Sequence, residues 1–379
     1  MKLALVLGLV LASVSGFSAY DSIRPGQEWL DTDGKPIHAH GGSIIAVDGT
    51  YYWYGENKEF TTGLTNIWHW GVNLYSSKDL MNWKNEGTII PPDLNDPNSP
   101  LAPSSCMDRP HILYNARTKK YVCWLKIMKK DEQGETVMVA DSLKGPWTIV
   151  KRGLKPCGMC GGDFDLVTAD DGKAYYYFER VHSELICADL TDDYTDVTGY
   201  YSTHAPRRAP PYVREAPAHF LREGKHYLLT SGTTGYCPNP TEAFVADTWH
   251  GPWTSLGDPC VNDTTRTSFH SQFSSVFKVP GKKNLYIALG DRWMPEMMDL
   301  TYEESEARYA SWFGLPYDKA ACESFDRRFA EKRAAWKAAG KDCAPDATKM
   351  ARYTWLPITF ENGKPTIHWR DSWKPSDFE

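Results

Sequence analysis

Alternating apolar and polar positions recur along this chain in short bursts, each rich in aromatic residues and bounded by Gly, Asp or Asn. The bursts are Gly49-Thr50-Tyr51-Tyr52-Trp53-Tyr54-Gly55, Lys120-Tyr121-Val122-Cys123-Trp124, Gly172-Lys173-Ala174-Tyr175-Tyr176-Tyr177-Phe178, Gly224-Lys225-His226-Tyr227-Leu228-Leu229 and Asn284-Leu285-Tyr286-Ile287-Ala288-Leu289. Period-two runs of this composition, with turn residues at both ends, predict β-strands. Their aromatic anchors near residues 52, 121, 175, 227 and 286 are roughly evenly spaced, which marks a repeated unit. A second echo links Ala140-Asp141-Ser142-Leu143-Lys144-Gly145-Pro146-Trp147 to Ala246-Asp247-Thr248-Trp249-His250-Gly251-Pro252-Trp253, with a looser copy at 76–83. Following an aromatic strand each time, it reads as the outer strand of a small sheet. Five such units predict an all-β fold, a five-bladed β-propeller, closed by a strand pair at 353–360 and 366–369. Loops from several blades then converge on a central channel.

One region breaks the pattern. From about 295 to 350 the period becomes helical, with Phe325, Phe329 and Trp336 on one face, interrupted by Lys332. This reads as a helical insertion in the last blade. Entering directly after Arg292-Trp293, it is expected to cap the channel mouth.

Lys2 followed by the apolar run Leu3 to Val14 and then small residues reads as a secretory signal peptide over 1–19, too short to span a bilayer. The catalytic or binding domain is then 20–379, in a secreted or periplasmic protein. A formal net charge of −6 argues against nucleic acid or an anionic membrane as partner. Fifteen Trp and 21 Tyr suit sugar-binding grooves but fit the cores of twisted sheets better. Nine Cys leave at least one unpaired. Cys123, in a strand, reads as a buried free thiol, while Cys322 and Cys343 flank a helical stretch and are candidates for a bridge. Cys157 and Cys160 have redox or metal spacing, but no second pair completes a metal site. No metal or cofactor is called for.

Candidate chemistry centres on Pro211-Tyr212-Val213-Arg214-Glu215-Ala216-Pro217-Ala218-His219-Phe220. Pro217 removes a ladder donor and biases Ala216 toward extended conformations, so the segment can aim Glu215 off a strand end into a cavity. A carboxyl held from water beside a second acid has a raised pKa and can donate a proton near neutrality.

Gly41-Gly42-Ser43, Tyr51 to Lys58, Asp108-Arg109-Pro110, Glu215-Ala216-Pro217, Gly235 to Pro240, Ser271-Gln272 and Gly290-Asp291-Arg292-Trp293 occur in that order. Together they resemble glycoside hydrolase family 43, and within it the branch of exo-β-1,3-galactanases, over about residues 30–293 and 351–373. The resemblance implies a propeller whose enzymes invert the anomeric centre, a proton donor and a base standing roughly 6.5–9.5 Å apart. On it, Glu215 matches the general acid and Asp163 the acid that tunes its pKa, with Asp165 on the same strand face as the rival. The family's usual Asp base is missing from His38-Ala39-His40-Gly41-Gly42-Ser43, a gap the galactanase-like branch shares. Gln272 fits the residue thought to replace it, positioning water or acting as its imidic tautomer.

The resemblance further makes Glu56, Asp108, Arg109, Trp124, Thr233, Tyr236, Trp293 and His40 sugar contacts. One departure is Asp108, where the branch carries Glu, one methylene longer. The implied substrate is a polysaccharide or oligosaccharide of the β-1,3-galactan or arabinogalactan type, cut from its end to release galactose. The competing readings are an α-L-arabinofuranosidase of the same family and a carbohydrate-binding propeller without catalysis.

Overall fold

The computed structural model describes residues 19–129 and 132–379. The expected leader, residues 1–19, lies outside them except for Ala19. Among the described residues, strands form five antiparallel four-stranded sheets, each paired in sequence order. Blade 1 holds β1 (His40–Val47), β2 (Thr50–Glu56), β3 (Val72–Ser77) and β4 (Lys84–Ile90). Blade 2 holds β5 (Cys106–Asn115), β6 (Lys120–Lys129), β7 (Glu132–Ala140) and β8 (Thr148–Leu154). Blade 3 holds β9 (Gly161–Thr168), β10 (Ala174–Arg180), β11 (Glu184–Leu190) and β12 (Val197–His204). Blade 4 holds β13 (Arg214–Arg222), β14 (Lys225–Gly232), β15 (Glu242–Ala246) and β16 (Thr254–Gly257). Blade 5 holds β17 (Gln272–Lys278), β18 (Tyr286–Arg292), β19 (Arg352–Glu361) and β20 (Lys364–Ile367). The first strands β1, β5, β9, β13 and β17 contact one another in a closed circuit. The fold is the five-bladed propeller that the repeats predict.

All five aromatic bursts are second strands, because that strand is covered on both faces by neighbouring blades. In β2, for example, Trp53 turns toward blade 5 and Tyr54 toward blade 2. The Gly-Pro-Trp echoes prove to be the connections between third and fourth strands, not outer strands, and both Gly–Pro bonds are cis. The seam between blades 1 and 5 is an indole cluster. Trp53 lies 4.4 Å from Trp355, 5.3 Å from Trp83 and 5.6 Å from Trp29, ring centre to ring centre. Trp53→Ala should therefore cost about 3–5 kcal/mol, the usual price of emptying a packed aromatic site. Urea unfolding checks this, and a loss below about 1 kcal/mol, typical of surface sites, would show that the seam does not depend on it.

The insertion between β18 and β19 carries two helices, α1 (Tyr302–Trp312) and α2 (Lys319–Ala338). Thr301 and Glu304 form a reciprocal capping box at the start of α1, and Asp318 caps α2. Phe325 stacks on Phe329 and packs with Met297, Leu300 and Cys237, while Trp336 lies half-buried under Lys332 and Lys341. The insertion is not confined to its own blade. Ala344 N donates to Thr62 O (2.8 Å) and Thr348 bonds Thr61 (2.8 Å) near blade 1, whereas Phe313 meets His182 of blade 3.

All nine cysteines are free thiols, Cys123 among the buried ones. The candidate bridge between Cys322 and Cys343 is thus absent. From Cys322 the helix runs unbroken to Ala338, carrying the chain about 24 Å away at 1.5 Å per residue. Cys343 instead rests its Sγ 3.7 Å from Met350 Sδ.

Candidate active site

Around the channel axis the first strands present residues in two tiers. The deeper tier takes one residue from each blade: Ser43, His111, Asp165, His219 and Ser275, all buried. Ser43 bonds Ser275 (2.7 Å), and Asp165 takes His111 Nδ1 (3.2 Å) and the His219 backbone N–H (2.7 Å). Burial pushes Asp165 up to about 8 despite these partners. Asp165 therefore shares a strand face with Asp163, but it belongs to the floor of the channel and not to the pocket above.

The upper tier opens into a pocket of about 320 Å³ containing Arg109, Asp163, Glu215 and Gln272, with Glu56 from the end of β2. Each pairing of a first with a second strand shifts register near this mouth: between His40 and Ser43, Asp108 and His111, Phe178 and Arg180, Glu215 and Ala218, and Phe273 and Ser275. Such bulges re-aim side chains. Arg109 at φ +55° and Ala216 at φ +48° mark two of them. Ala216 thus departs from the extended conformation expected ahead of Pro217.

Arg109 is the hub. Its Nη2 donates to Asp163 Oδ2 (2.5 Å) and to Gln272 Oε1 (2.6 Å), and its backbone N–H donates to Glu56 Oε1 (3.0 Å). Lys126 bridges Asp163 (2.6 Å) and Asp108 (3.3 Å). Asp108 also accepts from Trp68 Nε1 (2.7 Å). The shorter acid at this position is thus fully engaged. Gln272 takes Trp293 Nε1 on Oε1 (3.2 Å), while its Nε2 donates to Ser231 Oγ (2.8 Å) and Glu215 Oε1 (3.3 Å).

These contacts separate the acids by charge state. Glu215 is raised well above the usual carboxylate range, first by burial and then by the charges of Asp163 and Glu179. Burial would raise Asp163 too, but Arg109 and Lys126 outweigh it and hold that carboxyl well below its ordinary value. One carboxyl pushed up beside another held down is the division of labour that proton donation requires. Glu56 is pushed up to about 7 by burial and Asp108, with Lys58, 2.6 Å away, working against them. Its Oε1 lies against Gly41, where a side chain's Cβ would come within 2.4 Å. Strand β1, which lacks an acid of its own at the mouth, has one supplied by its neighbour β2.

Thr233, Tyr236 and Trp293 line the pocket; Tyr236 sits 4.9 Å from Trp293 and 6.0 Å from Trp68. Two expected sugar contacts do not line it. Trp124 is fully buried between blades 2 and 3, its Nε1 bonded to Tyr194 O (2.8 Å) and its ring 4.9 Å from Tyr176. Alternation puts Trp124 and Lys126 on one face of β6, and it is Lys126, nearer the mouth, that reaches the pocket. His40 is enclosed as well, bonded to Asp291 (2.9 Å) and Tyr353 (3.2 Å) behind Trp293. Sequence reasoning missed Lys126, Trp68 and Glu179. A lysine in a strand otherwise apolar from Tyr121 to Met128 was the available signal for the first.

Among the described residues, no group of three or more His, Cys, Asp or Glu is placed to hold a metal ion. No helix there is long and apolar enough to cross a membrane.

The model of "Glycosyl hydrolases family 43" matches residues 36–294. No curated protein matches the chain significantly. Among solved structures it is similar to the GH43 β-1,3-galactosidase BT0265 at TM-score 0.72 and 28% identity, covering 94% of this chain and 64% of that one. It is also similar to the GH43 β-1,3-galactosidase BT3683 with galactodeoxynojirimycin, at 0.70 and 28%, covering 93% and 100%. The exo-β-1,3-galactanase of Phanerochaete chrysosporium with β-1,3-galactotriose follows at 0.70 and 25%, covering 93% and 68%. This chain therefore spans somewhat less than two thirds of the first of these proteins and the whole of the second. Blade count, pocket chemistry and the family match agree: the chain belongs to glycosyl hydrolase family 43 and is a glycoside hydrolase.

Proposed function

We propose that this protein is a secreted, inverting exo-glycosidase that removes galactose from the ends of β-1,3-galactans of the arabinogalactan type. The observation that carries the reading is the network joining Glu215, Gln272, Arg109 and Asp163 within one small pocket. Likeness to proteins described as β-1,3-galactosidases and exo-β-1,3-galactanases supports the sugar and the linkage. The leader-like start of the chain supports export. In this reading Glu215 protonates the leaving oxygen, Asp163 keeps that proton in place, and Gln272 positions the attacking water.

Gln272 donates directly to Glu215, closer than the roughly 6.5–9.5 Å that separates acid and base in inverting enzymes. To hold water on the far face of the sugar, its amide must release Glu215 when substrate enters. Glu56, near neutrality in its pKa and lying against the acid-free end of β1, is the competing base. β-Galactosyl fluoride decides between them, since fluoride leaves without protonation while water must still be activated. Gln272→Ala should lower its hydrolysis roughly 10²-fold or more, and Glu56→Gln should mainly weaken binding. The reverse order would assign the base to Glu56. Incubation with β-1,3-galactan and with arabinosyl substrates, followed by identification of the released sugar, tests the function itself. Galactose from the galactan is expected; arabinose alone would overturn the reading.

A further inference from the structure

The pocket has an enclosed end and an open one. Toward the enclosed end lie Trp293 and Arg109, both buried, with Trp68 and Tyr236 half-buried beside them. A volume of about 320 Å³ is at the small end of the roughly 300–1,000 Å³ usual for ligand pockets. It suits one terminal sugar, so the rest of a glycan must leave through the mouth. The wall it passes there is only partly propeller, with Val181 and His182 from blade 3. The rest is the end of α1, where Tyr309, Trp312 and Phe313 complete the pocket lining.

Two features show that this wall is built to stay in place. Gly235 of blade 4, at φ +55°, leaves room for Tyr309, whose hydroxyl would come within 2.4 Å of a Cβ there. Trp312 is 60% exposed and Phe313 38%, unusual for large aromatics at a pocket rim, yet both are braced. The Arg308 guanidinium sits 4.6 Å over the Trp312 ring and is itself held by Asp326 of α2 (2.9 Å). The Tyr309 ring lies 4.9 Å from Trp312. Phe313 meets His182 of blade 3 edge-on at 5.2 Å, so the wall spans from blade to blade. Preorganised aromatic surface of this kind costs little entropy to use on binding. The C–H face of a pyranose is the complementary surface, and the position is continuous with the pocket that receives the terminal sugar.

We infer that Trp312 and Phe313 form the binding site for the sugar on the leaving-group side, with Asp326 acting as a positioning residue through Arg308. The inference rests on the galactanase reading above and adds a residue-level account of chain preference to it. The insertion thereby selects oligosaccharides and polymer over small galactosides.

The test compares β-1,3-galactotriose with β-galactosyl fluoride, which lacks a leaving-group sugar, in wild type, Trp312→Ala, Asp326→Ala and Asp326→Glu. Trp312→Ala should raise KM for the trisaccharide roughly five- to tenfold, as expected for lost apolar contact, with kcat little changed and fluoride hydrolysis lowered far less. Asp326→Ala should shift KM in the same direction by less, and Asp326→Glu should restore it. Trp312 is exposed, so the variant keeps its core, and matching thermal melts verify this. Unchanged trisaccharide kinetics, or equal losses on both substrates, would overturn the inference while leaving the galactanase reading intact. A wild type active on the fluoride but inert toward the trisaccharide would overturn both.

Discussion

Glu215→Gln should reduce hydrolysis of β-1,3-galactosides by roughly 10²–10⁴-fold, the contribution usual for a general acid. The amide fits the same space, and its oxygen still accepts from Gln272 Nε2, so the fold and the neighbouring network survive. What disappears is the proton that burial, Asp163 and Glu179 hold on this carboxyl. β-Galactosyl fluoride needs no such proton and should be cleaved nearly as fast as by wild type. Rates on the two substrates, measured side by side, give the result directly. Equal losses on both would take the acid role away from Glu215.

Asp163→Asn should have the second largest effect, on stability and pH dependence together. Asp163 neutralises Arg109 and Lys126 inside a buried cluster. Removing one partner of a buried ion pair leaves uncompensated charge and costs about 3–5 kcal/mol. The kinetic sign follows from Glu215, whose protonated form is the working one. Its pKa is raised by burial and by Asp163, and lowered by Lys126 and Arg109. Deleting the Asp163 charge removes a raising influence and unmasks two lowering ones. The alkaline limb of kcat/KM should therefore move to lower pH, with activity retained best on the acid side. An unmoved limb in a folded variant would show that Asp163 does not tune the donor.

The propeller was legible because its second strands are sandwiched between blades, which forces aromatic residues onto both faces and repeats the pattern five times. Of the upper-tier acids, Glu215 was legible in its own segment, but Asp163 only through the resemblance, since Asp163 and Asp165 fall on the same face of β9. Depth along the channel decides between them, and depth depends on where each strand starts and bulges, which period alone does not encode. The same limit explains Trp124, on the right face of β6 but one step too deep. His40 reads as a polar residue near a mouth, yet Asp291 and Tyr353 satisfy it from another blade. The insertion's helices were visible in their period. Its reach across to blades 1, 3 and 4 was not, because contacts such as Thr61–Thr348 and Phe313–His182 join segments remote in sequence.

The anomer released first from β-1,3-galactotriose, followed by proton NMR in the opening minutes of reaction, tests the central claim most directly. An inverting glycosidase with Glu215 as its acid must liberate α-galactose, which then mutarotates toward the β-anomer. Initial release of β-galactose would contradict the account, since retention requires a nucleophile that attacks the anomeric carbon, whereas here Gln272 positions water and Asp163 is tied to Arg109 and Lys126.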